Sequence, residues 1–265
     1  MSTAAGTSGP DSASRRTRDP LAFQTITVVG GGCYGSYYVR QLARAHRAGA
    51  ATWSELVVVD HDPACRAVSL ADEERVPGLR CVIRTWASYF DDMLSGAADT
   101  GRDVAGDAIV PSPLMPHLMA EWIVARARRR WPHRRVAVEP LLSPPDVPWQ
   151  RAGEDGTHYV SFATWMCPIN CIEPARCPET RGPRDWSLPP ALARYAERER
   201  EAGRPVEHPL VFHCSHRTYG VGMIDVGDVI AADVAVERGA RARPAAFLLG
   251  TASHCHGAVQ RLVID

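Results

Sequence analysis

The chain has 265 residues, of which 45% are hydrophobic and 23% are charged, and 30 acidic side chains offset 30 basic ones. This composition is typical of one large or two small globular domains, and the zero net charge argues against nucleic acid as a partner. The sequence contains no lysine, which excludes Schiff-base enzymes and the P-loop enzymes that grip phosphate with a lysine.

The beginning of the chain carries no export or membrane signal. The first twenty residues are small and polar, and they lack the apolar core of a secretory signal. No run of about 18 or more apolar residues occurs in the sequence, so we expect no membrane contact. We therefore predict a disordered tail over residues 1–24 and a cytoplasmic protein.

A glycine-rich turn follows the first predicted strand. The apolar run 25–30 leads into glycines 30, 32 and 35, with the spacing G-x-G-x-x-G, and a helix is predicted over about 34–47. A second apolar strand, 55–60, ends in Asp60. Such glycines permit a tight turn, close approach to a pyrophosphate and close helix packing, while the acid accepts ribose hydroxyls. The order of these features predicts a dinucleotide-binding domain.

Strands and helices continue to alternate up to residue 139. Strands are predicted at 79–83, 107–111 and 135–139, and helices at 86–94 and 114–130. Five strands with intervening helices predict a doubly wound, mainly parallel α/β sheet. Ser112 is predicted to cap the helix after the fourth strand and to lie at the site, because ligands bind beyond the carboxyl ends of such strands.

Residues 25–139 resemble the Rossmann NAD(P)-binding fold, in particular its TrkA-N and precorrin-2 dehydrogenase types, through the segments VVGGGCYGS and LVVVDHDPACR. The resemblance implies NAD as the cofactor. Asp60 favours NAD over NADP because a carboxylate would repel a 2′-phosphate, and NADP and FAD stay open. The predicted cofactor-binding residues are Gly30, Gly32, Cys33, Tyr34, Gly35, Asp60 and Ser112.

The C-terminal half is rich in cysteine and histidine. A Pro/Gly-rich segment at 141–156 is predicted to divide a dinucleotide-binding domain (25–140) from an α/β extension (141–265), which is expected to hold substrate or metal. Three cysteines lie within eleven residues of a proline-rich segment. They are predicted to hold an iron–sulfur cluster or zinc, or to be thiols without a metal. The predicted ligands are Cys167, Cys171, Cys177 and Cys214.

Two histidine clusters follow apolar strands predicted at 209–212 and 246–249. Alternate residues of an extended segment share one face, so each cluster presents polar groups together. Imidazoles suit proton transfer or metal binding. The predicted catalytic residues are His213, His216, His254 and His256.

Together these features predict an NAD(P)-binding oxidoreductase for a small-molecule substrate, with a cysteine-rich metal or iron–sulfur site beside the nicotinamide. A homodimer is compatible with such a sheet. Two alternatives stay open. One is a non-enzymatic NAD(H), redox or metal sensor, which the TrkA-N resemblance implies. The other is a tetrapyrrole-pathway dehydrogenase or chelatase, which the precorrin-2 dehydrogenase resemblance implies.

Overall fold

The protein is a mixed α/β structure with two sheets in the computed structural model, which describes residues 19–168, 171–204 and 206–265. The strands are β1 (Leu21–Val29), β2 (Ala51–Asp60), β3 (Leu79–Ile83), β4 (Ala108–Val110), β5 (Val136–Glu139), β6 (Trp149–Ala152), β7 (His158–Ser161), β8 (Leu210–His213), β9 (Ser215–Thr218), β10 (Val221–Asp225), β11 (Ala245–Ala252) and β12 (His256–Ile264). The helices are α1 (Cys33–Arg47), α2 (Ala67–Glu73), α3 (Trp86–Thr100), α4 (Leu118–Arg130), α5 (Leu188–Glu201) and α6 (Val226–Ala240). Within the described ranges, no helix is long and apolar enough to span a membrane.

The first sheet has the order β3-β2-β1-β4-β10-β9. Its first four strands pair in parallel, whereas β10 and β9 are antiparallel additions. The central strands have continuous apolar sequences because helices cover both faces of the sheet. The side chains of Ile26, Val28 and Leu56 are completely buried. Tyr219 and Gly220 both have positive φ and form the two-residue turn between β9 and β10.

The second sheet has the order β6-β7-β12-β11-β8, and β5 also pairs with β12. The prediction that residues 135–139 form a fifth parallel strand of the first sheet is therefore wrong. β5 runs antiparallel to the last residues of β12, and the place beside β4 is taken by β10. The sequence analysis predicted no strand at the position of β12, so it could not identify the strand that pairs with β5.

Helices occupy three layers around the two sheets. α1 and α2 pack on one face of the first sheet, and α3, α4 and α6 lie between the sheets. Ile123 and Val229 belong there to an apolar cluster that includes side chains from both sheets. α5 covers the outer face of the second sheet. Strands from the C-terminal half thus complete the first sheet, and the two sheets do not divide the chain at residue 140.

Several predicted boundaries change, and the helix predicted at 86–94 extends to Thr100. The predicted tail (1–24) falls mostly outside the described residues, but residues 21–24 belong to β1 because residues 21–23 pair with 51–53 of β2. The helix predicted from residue 114 begins at Leu118 instead. Prolines at 111, 113 and 116 lack the N–H that a helix needs and disfavour helical backbone in the residue before each.

Candidate functional site

The glycine-rich turn joins β1 to α1. Gly30 has a φ of +83°, and a Cβ on Gly35 would overlap the carbonyl oxygen of Gly30, so both positions require glycine. Gly32 is exposed, and a Cβ there would meet no atom within 4 Å. Cys33 is exposed and Tyr34 half-buried in the first turn of α1, which contains no acidic residue. Since the first N–H groups of a helix have no partner within it, this end of α1 suits an anion.

Asp60 ends β2 beside the glycine-rich turn and is buried. Its Oδ2 accepts a hydrogen bond from the Gly31 N–H at 2.6 Å, and its Oδ1 accepts one from the Asp62 N–H at 2.9 Å. Asp60 therefore fastens the turn to the end of β2. Each carboxylate oxygen keeps a further lone pair, so this structural role leaves capacity for a hydroxyl donor.

A cavity of about 540 Å³ lies where α1, the loop after β4 and the second sheet meet. Tyr38 of α1 and Pro113 of that loop line this cavity. Burial raises the pKa of Tyr38 to about 12, so its hydroxyl stays protonated at neutral pH. An adjoining cavity of about 330 Å³ shares Tyr38 and Pro113 and is also lined by Ser112, whose Oγ accepts a hydrogen bond from the Leu114 N–H.

Three of the four predicted metal-ligating cysteines face the larger cavity: Cys167, Cys171 and Cys214. Burial raises the pKa of Cys214 to about 12 and that of Cys167 to about 11. Both side chains are therefore neutral thiols at pH 7, and a neutral thiol is a weak nucleophile.

Cys177, the fourth predicted ligand, is buried in the loop outside the cavity lining. Hydrogen bonds, the strongest from the backbone of Thr180, lower the pKa of its thiol. Among residues 19–168, 171–204 and 206–265, no three Cys, His, Asp or Glu side chains have the arrangement of a metal site. The proposal of a metal or iron–sulfur cluster at these thiols stays a prediction.

The four predicted catalytic histidines separate into two pairs. His216 and His256 line the cavity. His213 and His254 instead contact each other edge to face, with ring centroids 4.9 Å apart, and His254 Nδ1 lies 2.8 Å from the hydroxyl of Ser187. Desolvation lowers the pKa of both residues of this second pair. The geometry therefore favours His216 and His256 for contact with a ligand.

The buried carboxylate of Glu173 organises the site. It accepts hydrogen bonds from Ser253 Oγ at 2.6 Å, the His254 N–H at 2.9 Å and the Cys255 N–H at 3.0 Å, and its Oε2 lies 3.7 Å from His216 Nδ1. Burial alone would raise the pKa of Glu173, but these donors together hold it far below its usual range. Its backbone is in the left-handed region at φ 47°, a conformation held by its surroundings.

Replacing Glu173 with glutamine is expected to lower the free energy of unfolding by about 1.5–3 kcal/mol at pH 7, because hydrogen bonds to a charged acceptor are lost. The folded-state pKa of Glu173 is depressed, so its contribution is complete above the unfolded pKa of about 4.3 and declines as pH falls below that value. Urea unfolding at several pH values measures this difference.

The matched control is Glu154→Gln, which removes an exposed carboxylate and is expected to change stability by less than about 0.5 kcal/mol. A stability difference between wild type and Glu173→Gln that is constant from neutral to acidic pH would contradict an ionised Glu173.

Sequence reasoning missed three contributors to the cavity: Tyr38, Glu173 and the aromatic wall formed by Trp149 and Trp165. The sequence contains one feature that could have identified Glu173 as a site residue. It is the only acid between residues 162 and 178, in the middle of the cysteine-rich segment. Tyr38 lies on the apolar side of a helix and has no local signature. The tryptophans are far from the glycine-rich turn in the chain.

The fold and the site define an α/β protein whose glycine-rich turn and cysteine- and histidine-lined cavity share one edge of a sheet. Residues 119–265, more than half of the chain, match a family model described as "Uncharacterized protein, C-terminal domain". The chain belongs to this family. Comparison with curated proteins and with solved structures gives no match.

Proposed function

We propose that the protein is an NAD(P)-dependent oxidoreductase that binds the dinucleotide at the glycine-rich turn and its substrate in the adjoining cavity. One observation carries the proposal. α1 and the loop after β4, which would flank a dinucleotide, also supply Tyr38 and Pro113 to the cavity that Cys214, His216 and His256 line. The parallel order β3-β2-β1-β4 supports a Rossmann-type assignment, since it matches the first four strands of the order 3-2-1-4-5-6 of that fold.

The residues of the turn fit a dinucleotide. The N-terminus of α1 offers N–H groups to a pyrophosphate, and the open space at Gly32 would let the phosphates approach the backbone. The remaining lone pairs of Asp60 would accept ribose hydroxyls, which favours NAD over NADP. When bound, a nicotinamide supplies hydride transfer.

In this proposal His216 moves the proton that accompanies hydride transfer at a hydroxyl or carbonyl group. Its Nδ1 side faces the carboxylate of Glu173, which orients the ring and leaves Nε2 for the substrate. His256 Nδ1 lies 3.0 Å from Ser161 Oγ, a weaker orienting partner than a carboxylate. Tyr38 also lines the cavity, and in this proposal its protonated hydroxyl donates a hydrogen bond to the substrate oxygen.

The proposal predicts that Gly32→Ala weakens NADH binding by about tenfold or more, because a methyl group would keep the phosphates from the backbone. Isothermal titration with NADH and NADPH measures the loss and the cofactor preference. The fold is expected to tolerate the change because the added methyl meets no protein atom.

Gly96→Ala is the matched control. Gly96 lies within α3, where a Cβ also meets nothing within 4 Å, so this variant is expected to bind NADH as wild type does. Wild-type protein that binds neither NADH nor NADPH would overturn the proposal. Binding without turnover of any alcohol or carbonyl compound would support a sensor instead.

A further inference from the structure

The two joined cavities have apolar and aromatic walls. Trp149, Trp165, Met166 and Pro113 line the larger one, and the rim continues to the surface, where Met166 is 95% exposed. Tyr159 lines the smaller one and is also partly exposed. Such walls bind the apolar body of a ligand through buried area and aromatic contacts.

No permanently cationic side chain lines either cavity among the described residues. The sequence has no lysine, and no described arginine lines either cavity. Arg217, on the neighbouring strand β9, is held by the carboxylate of Asp225, with bonds of 2.7 and 2.5 Å. Arg184 donates to backbone carbonyl groups, among them those of Glu173 and Trp186.

Two ionisable groups of the lining, Glu173 and His256, offer an anion no positive partner either. The carboxylate of Glu173 is occupied by three donors. Desolvation lowers the pKa of His256, which favours its neutral ring. A carboxylate or phosphate on a substrate would therefore lose its hydration without gaining a lysine or arginine partner, which is costly.

We infer that the cavity takes an uncharged ligand with an apolar, ring-sized body and a single hydroxyl or carbonyl group, and that it discriminates against hydroxy acids and phosphorylated compounds. This inference rests on the proposed function for the reacting group, but the preference for a neutral ligand is a property of the cavity itself. The hydroxyl or carbonyl oxygen lies toward Tyr38 and His216, and the ring lies against Trp149 and Trp165.

Ligand-observed NMR with the full chain tests the preference, using benzyl alcohol and benzoate as probes of equal size. Wild-type protein is expected to bind benzyl alcohol at least about tenfold more tightly than benzoate at pH 7. Thr164→Arg places a cation at an exposed position of the cavity lining, and it is expected to improve benzoate binding by about tenfold.

Val234→Arg is the matched control, because it adds the same charge at an exposed position of α6 outside both cavities. It is expected to leave both affinities unchanged. Benzoate binding as tight as benzyl alcohol in wild type, no binding of either probe, or no effect of Thr164→Arg would each overturn the inference.

These measurements need neither cofactor nor turnover. A protein that prefers benzyl alcohol but binds no NADH would retain the inferred ligand class and lose the proposed oxidoreductase function. A protein that binds NADH but prefers benzoate would retain the function and lose the ligand class.

Discussion

His216→Asn is expected to lower kcat by about 10²–10⁴-fold with any alcohol or carbonyl substrate that the protein turns over, because general acid–base catalysis contributes this much. His216 is the cavity histidine whose Nδ1 faces a buried carboxylate, at 3.7 Å from Glu173 Oε2. A carboxylate partner fixes the ring orientation and stabilises the charged imidazole that forms during proton transfer. Steady-state kinetics over a range of pH measure the loss in kcat separately from any change in KM.

Two further histidine variants make this prediction specific. His133→Asn changes an exposed histidine outside the cavity and is expected to leave kcat unchanged. His256→Asn removes the other cavity imidazole, which a serine hydroxyl orients. We expect a smaller loss in kcat for this variant than for His216→Asn. If His216→Asn keeps kcat within about threefold of wild type, His216 does not transfer the proton.

Asp233→Ala is expected to lower the free energy of unfolding by about 3 kcal/mol, the lower end of the range for breaking a buried ion pair. Asp233 of α6 is 2% exposed and accepts hydrogen bonds from Arg126 Nε at 3.0 Å and from both terminal nitrogens of Arg130 at 3.0 and 2.9 Å. These contacts join α6 to α4 in the layer between the sheets. The lower end of the range applies because Arg126 keeps Asp99 as a second partner.

Asp92→Ala is the control for a surface ion pair. Asp92 Oδ2 lies 2.7 Å from Arg84 Nη1, but the Asp92 side chain is 67% exposed. We therefore expect the free energy of unfolding to change by less than about 1 kcal/mol. Urea unfolding monitored by tryptophan fluorescence compares the two variants at equal ionic strength. A loss below about 1 kcal/mol for Asp233→Ala would show that the helices between the sheets do not depend on this ion pair.

The features that the sequence predicted correctly are local. The glycine spacing, the apolar runs of β1 and β2 and the acid at Asp60 lie within about 35 consecutive residues, and the structure forms a strand, turn, helix and strand there. The mixed α/β class is likewise confirmed. Such features depend on backbone conformation and side-chain periodicity, which neighbouring residues largely determine.

The strand prediction that failed concerns partners far apart in the chain. Residues 135–139 have the pattern of a buried strand, but no pattern within them says whether β4 or β12 is the neighbour. The side-by-side pairing of β4 and β10 joins residues more than 110 positions apart. Strand pairing is decided by which apolar faces the whole chain can bury together. A short stretch of sequence does not show which distant strand will pair with it.

The candidate site shows the same division. The sequence by itself predicted the turn, the acid, the cysteines and the histidines as candidate site residues. Only the tertiary structure separated His216 and His256 from His213 and His254, set Cys177 apart from the other thiols, and brought Glu173 to the turn at residues 253–255. Residue type determines what a side chain can do, but the packing of the two sheets determines which side chains face one cavity and which are buried against each other.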